Sequence, residues 1–195
     1  MLINGVVTAT WLVTVLTLIT ACGGNQGNST TEEELTEASQ TTVKPPDMDI
    51  HTATLIGDLE VIQQHIKAGS DLDVQEPSVG STPLISAAVF GKTEVARALI
   101  EGGADVNLKN NEGSTALHSA AFLCRVEIVK MLLDHGVDKS VLNNYGSTAQ
   151  ASVSALFSDV KFIYDQFQKD LGPLGFKLDF RFVEETRPKI AEMLN

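Results

Sequence analysis

The chain has 195 residues, 43% of them hydrophobic, which suits one packed domain with a tail. Its net charge is −11, and from Lys44 onward 14 basic residues stand against 21 acidic ones. That balance lacks the positive footprint that phosphate backbones require, so no nucleic-acid partner is expected. The two cysteines, Cys22 and Cys124, lie in stretches of unlike composition, which excludes a disulfide framework.

Leu2 to Ala21 is apolar and threonine-rich, strongest from Trp11 to Ile19, and no Lys or Arg occurs in the first 43 residues. The length of the apolar run and the small residue before Cys22 fit an export signal over residues 1–21. Ile19-Thr20-Ala21-Cys22 resembles a bacterial lipobox, which implies cleavage before Cys22 and lipid attachment to its sulfur. The absent basic n-region departs from that pattern. An uncleaved membrane anchor is the alternative, since about 20 apolar residues just span a bilayer, but five threonines and an Asn dilute this segment. Gly23 stands where an Asp would mark inner-membrane retention, so the resemblance implies the periplasmic side of a bacterial outer membrane, with periplasmic or plasma-membrane attachment as the alternative.

Residues 22–46 are polar, end on Pro45-Pro46 and hold too little apolar surface to fold. As a flexible coil they span roughly 25 to 30 Å, so they read as a tether. The folded domain is expected over 47–195.

There the chain repeats itself. Ser81-Thr82-Pro83-Leu84 returns 33 residues later as Ser114-Thr115-Ala116-Leu117 and in part as Ser147-Thr148-Ala149, with Gly80, Gly113 and Gly146 in step. Such a period marks stacked units that gain a core only from their neighbours. Thr82 is expected to cap a helix with Pro83 at its first position. Gly91 ends that helix, and Thr93-Glu94 opens a second running to about Glu101. Val95 with Leu99 and Ala96 with Ile100 give this second helix two apolar stripes, as for a helix between layers.

Thr82-Pro83-Leu84, Ala87-Ala88, Gly91, Glu94-Val95 and Gly103-Ala104-Asp105-Val106-Asn107 closely resemble the ankyrin repeat. The next unit matches through Thr115-Ala116-Leu117-His118, Ala120-Ala121, Glu127-Ile128-Val129, Leu132-Leu133 and Gly136-Val137-Asp138, but has Cys124 where the first has Gly91. The preceding unit lies at a 34-residue offset, with its extra residue in the turn containing Pro77. The resemblance implies an all-α ankyrin repeat solenoid of about four helix-turn-helix units, near 48–81, 82–114, 115–147 and 148–195. The last is split by a helical and extended insertion near 158–185. Within it Ser158-Asp159 caps a helix through Val160, Ile163, Tyr164 and Phe167, ended by Gly172-Pro173. Phe176, Leu178, Phe180 and Phe182 alternate with charged residues and read as extended. Arg187-Pro188 then opens the last repeat helix.

No catalytic constellation stands out. His51, His65, His118 and His135 have no zinc-ligand spacing, and there is neither a phosphate loop nor a nucleophile elbow. Accordingly no catalytic residue, metal, cofactor or small-molecule substrate is expected. His118 takes the place where the family uses His to bond loop backbone. Cys124 reads as a buried helix-end thiol, with a redox sensor as the alternative.

Carried over from the family, the partner-contact positions are Val89, Phe90, Lys109, Asn111, Glu112, Phe122, Leu123, Leu142, Asn144 and Tyr145. In line across units, Val89, Phe90, Phe122, Leu123 and Tyr145 form an apolar stripe of the kind that marks an interaction site. The Phe176–Phe182 run is the competing occupant, equally placed to cover Phe122, Leu123 and Tyr145, while Phe90 is expected to remain a contact. The function implied is a non-enzymatic protein-interaction module, lipid-anchored at the envelope. The alternative is an immunity or inhibitor protein that blocks a specific enzyme or toxin through its acidic surface.

Overall fold

A computed structural model describes residues 43–195, and the expected signal peptide, Cys22 and most of the tether lie outside them. The described residues form helices α1 (Ile50–Ile56), α2 (Leu59–Lys67), α3 (Pro83–Phe90), α4 (Thr93–Glu101), α5 (Ala116–Phe122), α6 (Val126–Asp134), α7 (Ala149–Ser154), α8 (Phe157–Leu171) and α9 (Phe180–Met193). A 3-10 turn spans Gly172–Leu174, and no strand occurs among the described residues.

Each pair begins as its residues dictate. Asp49 caps α1 by accepting from the His51 and Thr52 amides. Thr82 Oγ1 accepts from the Ile85 amide at 3.2 Å, with Pro83 in the first turn, where its missing N–H leaves nothing unpaired. Gly57 and Gly91 end α1 and α3 in the left-handed region, at φ 84° and 65°. Cys124 adopts the same conformation at φ 56°, in the place of the missing glycine.

The first helices α1, α3, α5 and α7 pack in a row, each on the next, and α2, α4 and α6 form a second row behind them. Between the rows lies one apolar core. All four stripe residues of α4, Val95, Ala96, Leu99 and Ile100, are buried, as expected for a helix held between layers. Small residues, Ala87, Ala88, Ala120 and Ala121, are fully buried and let the first helices approach closely.

The fourth unit differs from its sequence expectation in three ways. First, α8 starts at Phe157 behind Leu156, without a side-chain cap from Ser158 or Asp159. Second, only residues 176–179 are non-helical, and Phe180 opens α9 because Asp179 accepts from the Arg181 and Phe182 amides. The buried set Val183, Thr186, Arg187 and Ile190 follows helical spacing, which overrides the period-two run of phenylalanines. Third, Pro188 lies inside α9 and does not start it. Helix α9 packs on α7 as a second helix does and reaches α5.

Candidate protein-binding surface

Each repeat is entered through a tight turn. The Asn110 side chain accepts from the Glu112 and Ser114 amides, and Asn143 does the same for Tyr145 and Ser147. Glu76 serves the first turn, accepting from the amides of Ser78, Val79 and Ser81 and from the Ser78 hydroxyl. That turn closes from Glu76 to Ser81, against Asn110 to Ser114 and Asn143 to Ser147. The extra residue of the 34-residue offset therefore lies here, beside Pro77, where the sequence put it.

Successive tips are stitched together. The Asn111 amide donates to the Val79 carbonyl at 3.0 Å, and the Asn144 amide to the Glu112 carbonyl at 2.9 Å. Asn144 Nδ2 also donates to the Asn111 carbonyl, and Lys109 Nζ to the Leu142 carbonyl. Gly80 and Gly113 permit this because a Cβ at either would collide with the Asn111 or Asn144 side chain. Lys109, Asn111, Glu112, Leu142, Asn144 and Tyr145 are all exposed on this edge. Tyr145 is 75% exposed and Leu142 53%. Val79, 52% exposed on the first tip, joins them; the sequence reading missed it, although its place before Gly80 matches Glu112 and Tyr145.

The other expected contacts are not part of this edge. Phe90 and Phe122 end α3 and α5, a helix length of about 10 to 12 Å from the tips at 1.5 Å per residue, so no single stripe joins them to Tyr145. Leu123 is 2% exposed and belongs to the core. Phe122 is covered: Tyr164 of α8 stacks on it with ring centroids 4.5 Å apart and planes 8° apart, and Phe167 lies at 6.0 Å. Val89 and Phe90 are half-buried against the core, and Phe176 meets Phe90 edge to face at 6.2 Å. The insertion thus occupies the far ends of the first helices, chiefly through α8 rather than through the Phe176–Phe182 run.

Those helix ends carry a ladder of side-chain donors. Lys92 Nζ donates to the Ile56 carbonyl, Arg125 Nη2 to Val89, and the Tyr164 hydroxyl to Phe122 at 2.6 Å. Arg187 Nη2 donates to the Ser152 and Ala155 carbonyls behind α7. A cation at a helix C-terminus satisfies free carbonyls and the helix dipole together. The Lys92 to Arg125 spacing of 33 residues was a usable sequence signal; Tyr164 and Arg187 lie in the insertion, where the period no longer applies. Arg187 is fully buried with acceptors for both terminal nitrogens, Nη1 donating to the Tyr164 hydroxyl at 2.5 Å, while its Nε has no partner. Burial pushes the Tyr164 hydroxyl up to about 12, against the pull of Arg187.

His118 bonds loop backbone as the repeat pattern implies. Its Nε2 donates to the Ser147 carbonyl at 3.1 Å, leaving Nδ1 to accept from the Thr115 amide and hydroxyl. Burial lowers its pKa from the ordinary value, only partly offset by the Ser147 carbonyl. Cys124 is buried with Sγ 3.7 Å from the Val183 carbonyl, and burial pushes its thiol up to about 11 against the pull of Arg187 and Arg125. A thiol held protonated and covered is a poor redox sensor. Among the described residues, no group of three or more His, Cys, Asp or Glu side chains is placed to hold a metal, and no helix is long and apolar enough to cross a membrane.

Comparison with known proteins agrees with this geometry. A family model for ankyrin repeats, in three copies, matches residues 50–143. The human DNA-binding protein RFXANK (Homo sapiens) is 31% identical over 93 residues, 46% of this chain and 36% of that protein. The crystal structure of the ankyrin repeat domain of Bcl-3, a member of the IkappaB protein family, aligns with TM-score 0.51 at 30% identity, over 53% of this chain and 45% of that one. The chain therefore spans less than half the length of either relative. Ankyrin repeats are protein-interaction modules, and residues 50–143 of this chain match three of them.

Proposed function

We propose that the chain binds a protein partner along its row of turn tips and is held by lipid on Cys22 at the periplasmic side of a bacterial envelope membrane. The observation that carries the binding face is the exposure of Tyr145 and Leu142 on the same tip of a row tied together by backbone bonds between tips. An exposed aromatic on a fixed support has little conformational entropy left to lose on association. Support for the anchor comes from the lipobox-like tetrad Ile19 to Cys22, followed by a polar stretch that would let the repeats stand off the membrane. A second reading, block of one specific enzyme, draws on the net charge of −11 and calls for a basic partner whose binding weakens with salt.

The test is recovery of partners from detergent-solubilised envelopes on wild-type chain and on a Leu142→Asp, Tyr145→Asp double variant, with Lys130→Asp on the exposed side of α6 as control. The tip variant should lose at least tenfold of the bound partner and the control should not. The mass of the recovered mature N-terminus reports the lipid on Cys22. Equal recovery on all three chains contradicts the tip face; an unmodified N-terminus contradicts the anchor.

A further inference from the structure

The insertion is attached in a way that a structural repeat is not. The chain leaves α7 through Ala155 and Leu156, both extended (ψ 154° and 141°), and returns to the repeat stack with α9, which opens at Phe180 behind the non-helical Asp179. Between these joints the insertion is one body: Gln168 of α8 accepts from the Leu178 amide and donates to the Phe176 carbonyl, and Phe167 lies 6.2 Å from Phe176. This body meets the stack by side chains, Phe167 against Phe122 among them, and two of its anchors are fully buried. One is Tyr164, stacked on Phe122 and bonded to its carbonyl; the other is Phe176, fully buried against Phe90 with the Arg125 guanidinium 5.8 Å from its ring. Within α8 itself Tyr164 is the buried residue, whereas α9 buries Val183, Thr186, Arg187 and Ile190.

Helix α9 also has its own hold on the stack, beside the contacts it makes to α8 from Arg187 to Tyr164 and from Phe180 to Phe157 and Lys161. Arg187 bonds the Ser152 and Ala155 carbonyls, and Val183 and Ile190 are fully buried. We propose that residues 157–178 form a hinged lid that occupies the far ends of α3 and α5 and opens as a unit while α7 and α9 stay in place. The closed chain is thus bound to its own aromatic helix at that face. Opening bares Phe90, and Phe122 with the Arg187 guanidinium 5.8 Å from its ring, a second surface separate from the tips. The bond from Tyr164 to Phe122, backed by Arg187, is the latch. Outward, α8 shows Phe162, 70% exposed and free of the stack, so its removal serves as a control.

Local opening leaves a distinct mark in native-state hydrogen exchange. On the full chain, amides of 157–171 should exchange through an opening with little denaturant dependence, while those of α5, α7 and α9 stay protected until global unfolding. Tyr164→Phe leaves the Phe122 carbonyl without its donor and Arg187 Nη1 without its acceptor, and should speed exchange in α8 about tenfold with a much smaller effect on α9, which Val183 and Ile190 still hold. Phe162→Ala should change neither. The lid is overturned if wild-type α8 exchanges only with global unfolding, on the same denaturant slope as α5 and α9. It is also overturned if Tyr164→Phe speeds α8 and α9 equally. Neither readout involves a partner, so failure of the tip face leaves this result standing.

Discussion

Glu76 does with a carboxylate what Asn110 and Asn143 do with an amide, and this makes the first turn sensitive to acid. Burial raises its pKa, but the Ser78 hydroxyl and the amides of Ser78, Val79 and Ser81 outweigh that and hold it at about 2, against an ordinary 4.5. A carboxyl depressed in the fold contributes stability above pH 4.5, and that stability is lost as pH falls from 4.5 toward 2. Asp49 and Asp138 are lowered by bonds from Thr52 and Ser140 and act in the same direction. His118 begins its effect at higher pH. Buried and neutral, it resists the proton that the unfolded chain accepts near pH 6.5, so stability declines as pH falls below that value. Urea midpoints should therefore fall in two stages, from pH 6.5 downward and again below 4.5. Glu76→Gln should shrink the second stage and leave the first. A flat midpoint between pH 7 and pH 3 would contradict both assignments. At this scale the sequence was readable wherever a residue repeats a role, as at Thr82 and His118. Leu123 was misread because one position next to the irregular Cys124 decides between surface and core.

Helices were legible in the sequence where the period held, and α3, α4 and α5 fall where caps and glycines put them. The exception is α9. Phe176, Leu178, Phe180 and Phe182 do alternate, but Asp179 supplies a cap and the buried set beyond it keeps helical spacing. Reading Arg187-Pro188 as a start obscured that spacing, because proline is at home in a first turn and rare farther in. Inside α9 it removes one backbone bond, to the carbonyl of exposed Glu184. Pro188→Ala should accordingly stabilise the chain by up to about 3 kcal/mol. Thermal unfolding measures it, and a lower midpoint for the variant would show that Pro188 has a packing role beyond its backbone cost.

On the scale of the whole chain, the repeats show how the stack stands and the insertion shows which of its faces is free. The period foretold a row of first helices backed by a second row, since neighbours alone can cover each unit's apolar side. It could not say what lies against Phe90 and Phe122, because that depends on how a non-repeating segment folds back. With α8 on those helix ends, the tip row from Val79 to Tyr145 stays open. Site-specific photocrosslinking in living cells tests this most directly, with a photoreactive residue placed in turn at Glu112, Leu142 and Tyr145, and at Gln64, Arg97 and Lys130 on the exposed side of α2, α4 and α6. The account predicts one protein adduct of the same mass from the three tip positions and none from the other three. Adducts from the α2, α4 and α6 positions alone would contradict it.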